Sequence, residues 1–361
     1  MRRLKKSLRY LSVGAVVLCT TIMMAGCSSK NKEKDSETTS TPVETGSPDA
    51  GASSDPTEQS VETEDLKFDS SVLRVGNEDV TYREALIYIL QIKNKYEPSL
   101  GEDIWSYRLS DTETFADKSK QEIIDQITEI KVIKQQAEKL GISLESDETG
   151  EVAASTTDYL SKITKEDQAR YGITEEIVQK VLEENYLAQK VYNIATNEVD
   201  TNISDDAAKQ IKVQMIQVMT EGEDKNGNTI NMNENQKKDA KSRADKLKKQ
   251  ADKEKDFLSF ANSNTDTSVV ELTFGKGDYK EFEQQAFSLK QGQISNVIET
   301  STGYVILKLV SAFDEDATKV KKEEIIEEER DKVFKEKYKI WSGDYKATQD
   351  TSKWDVISFN I

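Results

Sequence analysis

The side chains that usually carry catalytic chemistry are scarce in this sequence. It has 361 residues and no histidine. That removes the Ser-His-Asp and Cys-His nucleophilic designs, histidine-ligated zinc, and the group best suited to proton transfer near neutral pH. Cysteine occurs only as Cys19 and Cys27, so everything after them lacks a disulfide, a CxxC pair or a thiol nucleophile. What remains is carboxylate, hydroxyl, Lys, Arg and Tyr chemistry, or binding alone. The acidic run Glu323, Glu324, Glu327, Glu328 and Glu329 lacks EF-hand spacing and reads as exposed helix charge, partly offset by Lys319, Lys332 and Lys335. The Lys-rich stretch 237–255 is interleaved with Asp239, Asp245, Asp252 and Glu254, the pattern of a solvated helix face. Neither a metal nor a cofactor is expected.

Cys27 has a chemistry of its own. Arg2, Arg3, Lys5, Lys6 and Arg9 make a positive start, residues 10–29 are uncharged, and Met24-Ala25-Gly26 precede the cysteine. This order is a secretory signal whose end resembles a bacterial lipobox. Processing would cleave before Cys27 and lipidate its thiol, and two acyl chains anchor stably where one does not. An uncleaved anchor is the alternative, since about 20 uncharged residues just span a bilayer, but Thr20, Thr21 and Gly26 make a poor span. Loss of residues 1–26 leaves 45 basic against 67 acidic residues, a net charge of −22. So acidic a chain repels nucleic acid and anionic lipid alike, and no nucleic-acid partner is expected. Residues 27–66 are Ser/Thr/Glu/Asp-rich with Pro42, Pro48 and Pro56. They read as a disordered tether of roughly 35 Å root-mean-square reach.

The remaining chain must supply the elements that position any site, and its pattern is α+β. Residues 72–80 read as a strand and turn. Thr81 and Glu84 form a capping box for a helix carrying Ala85, Leu86, Ile89 and Ile92 and ending near Pro98. A second helix starts near Phe115 and stops at Gly141, a third covers 147–168, and a fourth starts at Thr174. After Ser204 the texture changes. Residues 211–218 alternate like a strand, and Asn226-Gly227 suggests a tight turn. A helix from about Gln236 places Ala240, Ala244, Leu247 and Ala251 at spacings of four, three and four. Asp256-Phe257-Leu258-Ser259-Phe260-Ala261 follows, then a short helix over 281–289 and strands ending in 303–309. A charged helix over about 319–346 carries Ile326, Val333, Phe334, Tyr338, Trp341 and Tyr345 on one side.

The segment with Phe282, Ala286, Phe287, Leu289, Gly292, Ile294 and Ser295, followed by Gly303, Tyr304, Ile306 and Lys308, resembles parvulin-type peptidyl-prolyl isomerase domains. With a lipobox and a helical N-terminal region, the chain resembles the PrsA/SurA class of extracytoplasmic foldases over about residues 72–346. The resemblance implies a helical chaperone-like domain at 67–204, completed by residues 315–361 as a returning helix and tail. Between them it implies an inserted parvulin-like domain at 205–314, of small antiparallel sheet plus helices. It also implies site residues. Asp266 and Thr300 stand at positions of catalytic interest, while Met215, Leu272, Phe274, Phe282 and Phe287 would line a peptide-binding cup. Parvulins carry a histidine in the first strand and another in the last. Here those positions are Met215 and Val305, which fit ordinary core packing, and Asp278 replaces a methionine. Asp266, within a Ser/Thr/Asn run, equally fits a turn cap, and Phe282 fits core as well as groove.

The resemblance therefore implies a lipid-anchored protein on the extracytoplasmic face of a bacterial membrane, of Gram-positive type. Its partners would be unfolded exported polypeptides, and a homodimer is left open. Three functions follow: a chaperone gripping clients in clefts between its parts, with isomerase activity weak or lost; a working prolyl isomerase; or a surface scaffold for one partner.

Overall fold

A computed structural model describes residues 66–223 and 229–359. The expected signal segment, Cys27, the tether up to residue 65 and the Asn226-Gly227 turn lie outside the described residues. The fold is α+β with small antiparallel sheets. Among the described residues no helix is long and apolar enough to cross a membrane, and no group of acidic side chains is placed to hold a metal ion. The chain divides into two units: the described residues up to Asn197 together with those from Val333 onward, and Glu198–Lys332.

In the first unit, β1 (Ser71–Val75) pairs with β2 (Glu78–Thr81) and places Val72, Leu73, Val75 and Val80 in the core. Thr81 caps α1 (Tyr82–Leu100) by accepting from the Glu84 N–H. The reciprocal half of the expected capping box is absent, because the Glu84 carboxylate is buried in an ion pair instead. The helix also runs two residues past Pro98, to Leu100, with Gly101 as its cap. Late in the last turn proline removes little from the helix beyond its own N–H. Then come α2 (Phe115–Leu140), α3 (Ser146–Ser161), α4 (Lys165–Arg170) and α5 (Glu175–Ala195). The single helix expected over 147–168 is therefore two, separated where Thr164 caps α4 by accepting from the Asp167 N–H at 3.1 Å.

The C-terminal segment contributes more to this unit than its sequence suggests. The final long helix spans Glu315–Ser342, and its Phe334, Tyr338 and Trp341 pack on Ile130 and Ile133 of α2 and on Ala188 and Tyr192 of α5. A strand at Ala347–Gln349 then pairs with β1, Val75 opposite Ala347 and Leu73 opposite Gln349, to complete a three-stranded sheet. Trp354, Ile357 and Phe359 end in the core, Phe359 stacking on Trp105 at 4.1 Å between ring centroids.

That apolar core encloses a charge. Lys131 on α2 has no exposed surface. Its Nζ donates to both Glu184 oxygens at 2.7 and 2.6 Å and pairs with Glu84 Oε1 at 2.7 Å and Glu78 Oε2 at 3.6 Å. Lys180 reaches the other Glu84 oxygen at 2.7 Å, and Lys134 pairs with Glu78. Burial pulls the Lys131 pKa down, but Glu184 and Glu84 outweigh it, so the ammonium's pKa is raised above 10.5 and it stays charged at neutral pH. For Glu184, burial raises the pKa further than Lys131 lowers it.

The second unit is built on β3 (Ile211–Met219), which pairs antiparallel with β6 (Glu271–Phe274) on one side and β8 (Gly303–Ser311) on the other; β7 (Ile298–Thr300) lies outside β8. After the short α6 (Asp205–Ala208), the helices α7 (Glu234–Ala251) and α8 (Phe257–Asn264) cover one face of this sheet, and the short α9 (Glu283–Ser288) covers the other. Two further strands, β4 (Glu221–Glu223) and β5 (Thr229–Asn231), pair with each other. Gly303 has φ +144°, and a Cβ there would lie 2.1 Å from the Val218 carbonyl oxygen. Only glycine allows β7 to turn into β8 so close to β3.

Replacing Lys131 with methionine would leave Glu84 and Glu184, two buried carboxylates, without the cation between them. The expected loss is about 3–5 kcal/mol at pH 7, read by urea unfolding of the first unit. A raised carboxyl pKa means the folded state holds its proton more tightly than the unfolded one. The variant should therefore gain stability as pH falls from 7 toward 5; a loss over that range would contradict the assignment.

Candidate functional site

Strand periodicity assembles the site. Ile211, Val213 and Met215 of β3 share one sheet face with Val305, Leu307 and Leu309 of β8, while Ile216, Val218, Tyr304 and Ile306 take the opposite face. Met215 stands across from Leu307, and Val305 across from Gln217. Met215 and Val305 are thus diagonal neighbours on one surface. Phe274, at the end of β6 and opposite Ile211, brings aromatic packing to that surface. Its ring meets Phe282, Phe287 and Tyr279 edge-on at 5.8, 6.1 and 5.0 Å, and Tyr279 stacks on Phe282 at 5.0 Å.

The loop carrying these rings is held by carboxylates. Asp278 accepts from the Gly275 N–H at 2.8 Å, Glu283 from the Gly277 N–H at 2.7 Å, and Glu281 from the Ser301 N–H at 2.7 Å. Burial then divides the cluster. Phe274 is 1% exposed, Val305 2%, Met215 5% and Phe282 8%, so the floor is filled hydrocarbon. Leu272, Phe287 and Leu289 are half-buried, and Tyr279 is 37% exposed. The accessible part is a rim.

The family model described as Rotamase, PPIC-type PPIASE domain, matches residues 224–311. This part of the chain is similar to parvulin-type isomerase domains. The match begins after β3, so it includes Val305 and the aromatic rim but not Met215. The chain is also similar over most of its length to proteins named foldase protein PrsA. One, from Caldanaerobacter subterraneus subsp. tengcongensis, is 26% identical over 277 residues, covering 73% of this chain and 82% of that protein. Another, from Clostridium botulinum strain Langeland, is 23% identical over 304 residues, covering 77% and 88%. Among solved structures, the peptidylprolyl isomerase PrsA of Bacillus anthracis is 18% identical, covers 64% of this chain and 97% of its own, and superposes with a TM-score of 0.31. A SurA-like chaperone of Campylobacter jejuni is 13% identical, covers 78% and 98%, and gives 0.27. Superpositions this loose add nothing to the fold described above.

Within the parvulin-type domain the expected site residues separate into two groups. Met215, Leu272, Phe274, Phe282 and Phe287 come together in one cluster. Asp266 and Thr300 stand outside it. The Asp266 carboxylate accepts from Arg243 Nη1 at 2.8 and 2.9 Å and from the Met219 N–H at 3.0 Å, which ties α7 to the end of β3. The Thr300 hydroxyl donates to the Gly303 carbonyl at 3.0 Å within its own hairpin. Tyr279 belongs to the site although its motif context did not mark it; an aromatic three residues before Phe282 was the available signal. A surface cavity of about 650 Å³ lies in the other unit. It is lined in part by Arg74, Asp79, Asp350 and Lys353, whose charges pair with one another.

Floor and rim should respond differently to truncation. Phe274→Ala removes the ring that three others meet and is expected to cost about 3–5 kcal/mol in urea unfolding of this domain. Tyr279→Ala, at the partly exposed rim, should cost less, about 1 kcal/mol, through its contacts with Phe274 and Phe282.

Proposed function

We propose that the protein is a membrane-anchored extracytoplasmic foldase that holds unfolded exported polypeptides, with its prolyl isomerase activity weak or lost. The foldase relatives and the parvulin-type domain support the general reading. The observation that carries the finer one is the sealed floor. Where parvulins have two histidines, Met215 and Val305 lie in one apolar cluster with Leu307, Phe274 and Phe282.

Prolyl isomerisation needs no covalent step. Its barrier, about 18–20 kcal/mol, comes from amide resonance. A site lowers it by gripping the proline ring while polar groups receive the carbonyl as it turns out of conjugation. Hydrocarbon can supply the grip but not the polar reception. The two remaining polar candidates are engaged, Asp266 by Arg243 and Thr300 by the Gly303 carbonyl, so an isomerase using them would have to release them first. The rim formed by Leu272, Tyr279, Phe287 and Leu289 suits a different task. Exposed apolar and aromatic surface binds extended chains with little demand on their sequence. Anchoring through diacylglyceryl-Cys27 would keep this rim near emerging chains.

Two assays on the same preparation test this reading. In protease-coupled isomerisation of an Ala-Pro peptide the rate should match the uncatalysed one, while aggregation of a reduced, unfolded client should be suppressed near stoichiometric ratio. Tyr279→Ala should weaken that suppression. Catalysis well above background would overturn the holding role in favour of an active isomerase. Labelling of cells with a palmitate analogue should mark the wild-type chain and not Cys27→Ala; equal labelling would remove the anchor.

A further inference from the structure

We infer that the outer face of α7 is a docking surface for anionic lipid headgroups, seating the parvulin-type domain on the bilayer with its aromatic rim turned away. The inference goes beyond the foldase reading and does not require it.

The helix buries Ala240, Ala244, Leu247 and Ala251 against the sheet. At 100° per residue, Lys238, Lys246, Lys249 and, in the turn that follows, Lys253 fall on the side opposite that stripe. All four are exposed, and none has an ion pair among the described residues. Acidic residues border the stripe on both sides, Asp245 beside Lys241 at 3.8 Å and Asp252 on Lys248 at 2.5 Å along one edge and the exposed Asp239 along the other. Arg243 is used by Asp266. Between residues 234 and 255 there are nine basic and five acidic side chains, so this is a positive face on a chain of net charge −17.

The overall charge led to the expectation that anionic lipid would be repelled. That expectation treats the charge as a single sum. At physiological ionic strength exposed charges are screened beyond about 8 Å, so a surface touching α7 senses the lysine stripe and its immediate flanks. The stripe is straight and about 22 Å long, which suits a plane of headgroups better than a single bound anion. The sheet supplies the orientation: α7 covers the face carrying Ile216 and Tyr304, and the rim lies on the face carrying Met215 and Val305. A bilayer on α7 would leave the rim free for polypeptide.

The full-length chain, reconstituted into vesicles of phosphatidylcholine alone or mixed with phosphatidylglycerol, tests this by amine acetylation read by mass spectrometry. Near an anionic surface each lysine strengthens binding roughly fivefold. Acetylation of Lys238, Lys246, Lys249 and Lys253 should therefore slow roughly tenfold in the mixed vesicles and recover in high salt. Lys276 and Lys290, in the loops flanking α9, should not change. The double variant Lys246→Gln/Lys249→Gln, checked for an unchanged thermal transition, should lose the protection at Lys238 and Lys253. Equal rates in both vesicles would overturn the inference. So would protection that appears only when an acidic unfolded polypeptide is added, which would make the stripe a client-binding surface. Flotation with the neutral vesicles reports anchoring separately, so failure of the lipid anchor is distinguishable from failure of the stripe.

Discussion

The pairing of β3 with β8 is the constraint from which the parvulin-type domain is built. Eight residue pairs align along it, from Lys212 opposite Ser311 to Met219 opposite Gly303. Successive side chains point to opposite faces, so this register alone decides that Met215, Val305 and Leu307 meet the aromatic loop while Ile216, Val218 and Ile306 meet α7 and α8. A slip of β3 by one residue would turn its side chains over, putting Met215 under the lysine helix and Ile216 under the rim. Gly303 helps pin the register, because its backbone approaches the Val218 carbonyl more closely than any side chain permits. An apolar rim on one side and a charged helix on the other follow from one pairing.

The other unit is organised by a different interaction. Lys131 is buried where the hairpin, α1, α2 and α5 meet, and each of the other three contributes a glutamate: Glu78, Glu84 and Glu184. Buried ion pairs add little net stability relative to well-packed hydrocarbon, but they tolerate few arrangements. A Lys131 ammonium lined with three carboxylates admits one disposition of the elements that carry them. The contrast with the parvulin-type domain is informative. There the positions at which a polar network would be expected in the family are hydrocarbon, and the surrounding rings close over them.

Most of this architecture was legible where a single period or cap dictated the answer. The alternation in 211–218, the spacing of Ala240, Ala244, Leu247 and Ala251, and the Gly141 stop all survive in the structure. What could not be read depended on partners far away in sequence. Glu84 looked like half of a capping box because Lys131, 47 residues on, is invisible to a local pattern. The strand at Ala347–Gln349 has three residues and no periodicity of its own; it exists because β1 offers a free edge. Trp354, Ile357 and Phe359 were readable as apolar but carried no sign that they closed a core around Trp105. The site divides in the same way. The clustering of its five apolar residues was legible because they sit in a motif, whereas the surroundings of Asp266 and Thr300 depended on whether Arg243 and the Gly303 carbonyl would occupy them.

The absence of histidine therefore has a structural consequence as well as a chemical one. A histidine pair on the floor would need donors and acceptors around it, since a buried polar group left unpaired costs more than a packed methyl group. With Met215 and Val305 in those places that requirement disappears, and the Phe274 ring can meet the stacked Phe282 and Tyr279 rings edge to face over a continuous apolar layer. Closing the floor in this way leaves Leu272, Tyr279, Phe287 and Leu289 as the accessible apolar surface, where any contact would be shallow. Shallow apolar contact is poorly suited to stabilising one twisted amide geometry. It is well suited to holding many different unfolded segments briefly.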